Sequence, residues 1–183
     1  MLGAICCLGL SSYYHTCRCI SEGLFNKLLC MDKSGVALLI AGSTAPACSY
    51  LFACEAVATP RDMIQTLIFV LAIATFICSF NSTWLGPYLF VAMGLAAGAP
   101  FYSMHYFDEA DLLPNRTDYF FHYFFGGAIY ILGAVILVLK VPERFFAVKF
   151  DLIGASHNIW HLAVLSGCAW HFASAVRMYV ERQ

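Results

Sequence analysis

Six apolar stretches run along this chain, separated by short polar connections. They cover approximately residues 1–19, 34–57, 63–80, 84–104, 119–140 and 156–180. A helix needs about 17–25 apolar residues to cross a bilayer, and each stretch is of that order. The apolar residues run on rather than alternate, which predicts helices and speaks against barrel strands. Lipid offers no partner to an open backbone, so each crossing segment must satisfy its own hydrogen bonds. The connections hold Glu22, Asn26 and Lys27; then Thr59, Pro60, Arg61 and Asp62; then Asn81, Ser82 and Thr83. An acidic loop follows with Asp108, Glu109, Asp111, Asn115, Arg116 and Asp118, and the last connection carries Pro142, Glu143, Arg144, Lys149 and Asp151. No repeat, low-complexity tract or inter-domain linker breaks residues 1–183. The predicted fold is all-α: one polytopic transmembrane helical domain with six spans.

Composition agrees with the pattern. Hydrophobic residues make up 61% and charged residues 11% of the chain, against about 45–50% and ~25% in soluble domains. The net charge of −1 and the lack of a basic run argue against nucleic acid as a partner. The first stretch lacks a basic start, and Tyr13, Tyr14, His15 and Arg18 make a poor cleavage region, so it reads as a retained helix rather than a signal peptide. Arg18, Lys27, Lys33, Lys140, Arg144 and Lys149 fall on one set of connections, which the positive-inside rule puts in the cytoplasm. Both chain ends then lie outside, as does the Asn115–Arg116–Thr117 sequon. The Asn81–Ser82–Thr83 sequon falls in a tight inner turn and reads as chance.

Histidine is costly in a membrane, so intramembrane histidines are candidates for function. His157 and His161 stand four apart in the last stretch, on one helical face and roughly 6 Å apart along the axis. His15 closes the first stretch. Under the charge-derived orientation all three lie near the cytoplasmic side, as does Asp32. A lone membrane histidine commonly bonds a neighbouring helix. Three at one depth, two of them in i, i+4 spacing, point to a three-imidazole zinc site with an open position.

The same residues carry a family resemblance. Ser11–Ser12–Tyr13–Tyr14–His15 fits a Ser-x₃-His motif. Met31–Asp32–Lys33–Ser34–Gly35–Val36, followed by Gly42–Ser43–Thr44–Ala45–Pro46, resembles an Asp-x-Ser-Gly helix start. Pro142–Glu143–Arg144–Phe145, then Ser156–His157–Asn158–Ile159–Trp160–His161, is close to a Pro-Glu-Arg-Phe…Ser-His-x₃-His signature. Together they resemble the progestin and adipoQ receptor family, related to the bacterial haemolysin III proteins, and most of all its adiponectin-receptor-like branch. The resemblance implies seven helices, of which this chain matches the second to the seventh. The expectation is that an amino-terminal region and the first family helix are missing. It also implies Zn2+ held by His15, His157 and His161, with Asp32 beside a water on the metal, and receptor signalling. For some members it implies ceramide hydrolysis.

Two classes of function follow. A hydrolase would use the metal to polarise a lipid amide, such as ceramide, with Asp32 as base and Ser11 orienting the substrate. A receptor would use a structural zinc to brace three helices, and an extracellular protein or steroid ligand would shift their packing. An ion channel is the weaker reading, since no charged path crosses the stretches. Ser11 lies one turn from His15 and equally suits a helix-to-helix hydrogen bond. Asp32 also suits a helix cap, and Ser156 is expected to cap the last helix. His171 lies about 21 Å beyond His157 along the axis, too far to share its metal. His122 and His105 stay outside the site. The nine cysteines read as buried thiols or sites of palmitoylation rather than a disulfide framework, with Cys17 and Cys19 as a weak alternative for soft metal. Gly94, Ala97, Gly98, Gly126, Gly127 and Gly133 suit close helix packing, and Pro46, Pro87 and Pro100 are expected to kink helices. The chain is expected in the plasma membrane or an endomembrane.

Overall fold

The computed structural model describes residues 1–52, 57–81, 85–103, 106–107, 113–146, 149–150 and 153–183, without the side chain of Pro87. The described residues form six helices: α1 Leu2–Cys17, α2 Glu22–Leu51, α3 Ala58–Phe80, α4 Gly86–Ser103, α5 Arg116–Leu139 and α6 Ser156–Glu181. The fold class is all-α, as predicted, with one helix at each apolar stretch. By length and composition α2, α3, α5 and α6 can each cross a membrane, and Tyr88–Ser103 forms a shorter apolar helix. α1 has 16 residues. Asp108, Glu109, Asp111, His105, Ser82, Thr83 and Asp151 lie outside the described residues.

The largest departure from the sequence pattern is α2. It starts at Glu22, so Glu22, Asn26 and Lys27 form its opening turns rather than a connection. Ser21 has an extended backbone and its Oγ accepts the N–H of Leu24 at 3.2 Å, capping the helix. Glu22 in the first turn suits the positive end of the helix dipole. Thirty residues make a rod of about 45 Å, whereas the hydrocarbon layer is about 30 Å thick. α3 likewise begins within its predicted connection. Pro60 occupies its first turn, where a missing N–H costs nothing. Pro46 and Pro100 lie inside α2 and α4.

The described residues fall into two compact units, Met1–Pro114 with Glu181–Gln183, and Asn115–Val180. In the first, α1 and α2 run antiparallel at close range. A Cβ on Gly3 would sit 2.6 Å from the Leu38 carbonyl oxygen, and one on Gly35 would sit 3.0 Å from the Cys7 Cα. Such approaches exist only because these positions carry no side chain, the usual device of tightly packed membrane helices. Ala37, Ile68, Ala72 and Met93 join α2, α3 and α4 in one core, with Ile64 and Phe90 against it. The buried Thr75 hydroxyl donates to the Leu71 carbonyl at 2.7 Å, so no polar group is stranded there.

The second unit is the antiparallel pair α5 and α6. His171 Nε2 lies 3.1 Å from the Tyr123 carbonyl, and its ring stacks on Tyr123 at 4.8 Å. This confirms a structural place for His171. A Cβ on Gly126 would enter the His171 ring at 2.4 Å. Nearer the other end of the pair, Gly133 faces Ala163 and Trp160. The outer faces are apolar: Phe121, Phe124, Ile131, Leu132 and Val138 on α5 and Leu162 and Val180 on α6 are exposed. A water-soluble monomer seldom shows so large an apolar surface; lipid is its natural solvent.

Candidate metal centre

α5 ends abruptly. Lys140 adopts the left-handed conformation at φ 51, and its N–H and that of Val141 bond to the carbonyls of Leu137 and Ile136. This is a Schellman closure with lysine in the place glycine usually takes. Pro142 follows, which cannot continue a helix. The reversal brings Glu143 to the start of α6. There the Ser156 N–H donates to Glu143 Oε2 at 2.8 Å, and the Ser156 hydroxyl donates to Oε1 in a very short contact. Asn158 Oδ1 reaches back to the Ala155 N–H at 3.2 Å. Ala155, whose carbonyl accepts the Ile159 N–H at 3.1 Å, is the capping position and has no side chain to do the work. The expectation that Ser156 caps α6 is therefore corrected. Ser156 is the first helical residue and a donor, and the cap is the Glu143 carboxylate. Those two hydrogen bonds from Ser156 hold the Glu143 carboxyl below its usual 4.5.

His157 and His161 stand in the first two turns of α6, as the i, i+4 spacing predicts. Their Nε2 atoms are 3.0 Å apart and the rings meet edge to face at 4.7 Å. Two nitrogens at 2.0–2.1 Å from one tetrahedral zinc would lie about 3.3 Å apart. The pair thus fits two corners of a zinc site with a shift of a few tenths of an ångström. His157 is exposed and His161 half-buried, so both rings are reachable.

His15, Ser11 and Asp32 belong to the first unit. His15 lies in the last turn of α1, half-buried, with its ring 4.8 Å from that of Tyr14. Tyr14 is buried and meets Phe25 of α2 at 5.7 Å, which anchors this end of α1. Ser11 is buried, and its Oγ has no hydrogen-bond partner among the described residues. The helix-to-helix bond that the sequence leaves open for it is absent there. Asp32 is half-buried and lies ten residues inside α2, not at its start, which excludes a capping role. The antiparallel pairing of Gly3 with Leu38 and of Cys7 with Gly35 continues by one turn to bring Ser11 level with residues 31–32.

The other candidates separate cleanly. His122 contacts Arg177 at 2.7 Å and lies 3.6 Å from Asp118. The eight described cysteines are free thiols. Asn115 of the sequon is exposed at the start of α5. Glu143 stands inside the Pro-Glu-Arg-Phe run that carries the family resemblance, but the sequence assigns it no role at the start of α6. Its signal is an acid just after a helix-ending Pro142, with a helix start still to come that lacks a capping side chain of its own.

Residues 1–172 match the family described as Haemolysin-III related. The chain is 31% identical to the adiponectin receptor protein of Drosophila melanogaster, covering 99% of this chain and 42% of that one. It is 32% identical to heptahelical transmembrane protein 5 of Arabidopsis thaliana, covering 95% and 47%. It is 31% identical to progestin and adipoQ receptor-like protein 1 of Caenorhabditis elegans, covering 98% and 42%. The chain thus spans less than half the length of these relatives.

Proposed function

This chain, an integral multi-pass membrane protein, belongs to the haemolysin-III-related family, and on that premise we propose that it is a zinc-binding membrane receptor of the progestin and adipoQ type, with His15, His157 and His161 as the ligands. The observation that carries the reading is the His157–His161 pair, with Nε2 atoms 3.0 Å apart at the start of an apolar helix. Two relatives bear receptor names, one for adiponectin and one for progestin and adipoQ. An extracellular protein or a steroid is accordingly the ligand class proposed. In this role a zinc held by these histidines would brace the helices that carry them, and ligand binding would shift their packing.

A second reading is favoured by Ser11 and Asp32. A buried hydroxyl without a partner among the described residues, level with a half-buried carboxylate, is an unusual pairing in an apolar helix pair. It suits hydrolysis of a lipid amide such as ceramide. Bound zinc supplies a Lewis acid that polarises a carbonyl and acidifies water. Asp32 would take a proton from the attacking water, and the Ser11 hydroxyl would donate to the amide carbonyl and orient it.

The experiment is metal analysis of the purified protein. About one zinc per chain is expected, and His161→Ala should lower both zinc content and thermal stability, because a ligand of the folded state alone stabilises it. Unchanged zinc in His161→Ala would sink the three-histidine centre. Turnover of a defined ceramide by the parent, lost in Asp32→Asn with zinc retained, selects the hydrolase reading. Zinc without turnover leaves the receptor with a structural metal.

A further inference from the structure

α6 presents a problem at its start that the sequence around it does not solve. The first four N–H groups of a helix have no partner within it. The residue before α6 is Ala155, and before that Gly154 stands at φ 84. Neither offers a side chain to hold the first turn. Helix ends that lack a cap fray, and fraying would move the second residue of α6 far more than the sixth. Those two residues are His157 and His161. Their 3.0 Å approach requires both to stay in helical register.

The structure meets this need from the preceding loop. Glu143 receives the Ser156 N–H on one oxygen and the Ser156 hydroxyl on the other. Both bonds are charge-assisted, and the carboxylate sits at the positive end of the helix dipole. Asn158 adds a second tie by taking the Ala155 N–H, as the third helical residue does in a capping box. The loop itself is aimed by the left-handed Lys140 that ends α5.

We infer that Glu143 is a positioning residue for the histidine pair: its carboxylate fixes the first turn of α6 so that His157 and His161 present their Nε2 atoms together. The inference rests on the zinc reading above. Glu143 acts through Ser156 and is not itself a ligand. Partners of this kind, which orient ligands without touching the metal, typically account for 10–100-fold in metal affinity.

The test uses the full chain in detergent or nanodiscs and two readouts. One is zinc affinity by chelator competition, with cobalt absorption as a report of ligand geometry. The other is amide hydrogen exchange across residues 156–161 without metal. Glu143→Ala should weaken zinc by about 10-fold or more, alter the cobalt spectrum and speed exchange in that segment. Ser156→Ala removes only the hydroxyl donor and leaves the backbone bond; it should give a smaller change in the same direction, and it serves if Glu143→Ala fails to fold. His161→Ala is the reference. If it abolishes zinc binding while Glu143→Ala and Ser156→Ala bind as the parent does, the positioning role is overturned and the centre stands. Faster exchange in Glu143→Ala with unchanged affinity and cobalt spectrum also overturns it, leaving a helix cap and nothing more. Zinc retained in His161→Ala overturns the centre itself.

Discussion

The two units hold their helices together by different means. In the first, α1 and α2 meet backbone to backbone: Gly35 lies against the Cys7 Cα and Gly3 against the Leu38 carbonyl. In the second, α5 and α6 meet mainly through rings: Gly126 makes room for His171, which in turn bonds to Tyr123 across the pair, and Gly167 faces the Tyr130 ring as well as the Gly126 carbonyl. Glycine appears on both sides of the comparison with opposite meanings. Against backbone, the neighbour cannot yield without moving a helix. Against a side chain, the neighbour can be exchanged.

The strongest test of the contrast is Gly35→Val. Overpacking of this kind costs roughly 1–3 kcal/mol or more, and no single partner change should recover it, because the obstacle is the Cys7 backbone. Thermal unfolding of Gly35→Val, alone and with Cys7→Ala, measures this; recovery by Cys7→Ala would show that side chains, not backbone, set the approach. Gly126→Ala should come next, at about 1–2 kcal/mol, since it displaces the His171 ring and breaks its bond to Tyr123. Here the double variant with His171→Ala should regain part of the loss. Equal instability of the double and single variants would erase the difference between the units.

The smallest effect concerns pH. Backbone packed against backbone does not titrate, but the Glu143 clamp does. Its carboxyl is held below the usual 4.5, so its contribution is present above that value and disappears as pH falls through the lowered one. The parent should therefore lose slightly more stability than Glu143→Gln between about pH 6 and about pH 3. Parallel losses in the two proteins would mean that the clamp carries no linked proton.

Much of the architecture is legible in hydropathy, and the reasons for its failures are specific. Continuous apolar runs locate all six helices, and α6 falls within a residue at each end. Hydropathy misses the start of α2 because it reports where lipid begins, not where the helix does. Ser21 followed by Glu22 is the available signal, a capping residue and an acid in the first turn. The same blind spot puts Asp32 at a helix start. The His157–His161 pair is readable because the helix has a fixed period, so spacing alone brings the rings together. The contact of Glu143 with Ser156 is not, although Glu143 lies in the Pro-Glu-Arg-Phe run, because it depends on how a connection folds, which no period encodes. Ser156 looks like a cap by residue type, yet its hydroxyl points to a carboxylate rather than to the helix.

The bond from Ser156 to Glu143 spans thirteen positions, whereas that from His171 to Tyr123 spans 48. Loop-closure entropy grows with the logarithm of that separation, so the shorter loop costs about 1 kcal/mol less to close. Short-range contacts of this kind also form sooner. In the order of synthesis, α5 and its reversal precede α6, so Glu143 is already waiting when Ser156 emerges. A clamp that closes first would set the first turn of α6 at His157 before the remainder of that helix finds its place along α5, and Glu143→Ala should then slow folding more than Gly126→Ala does.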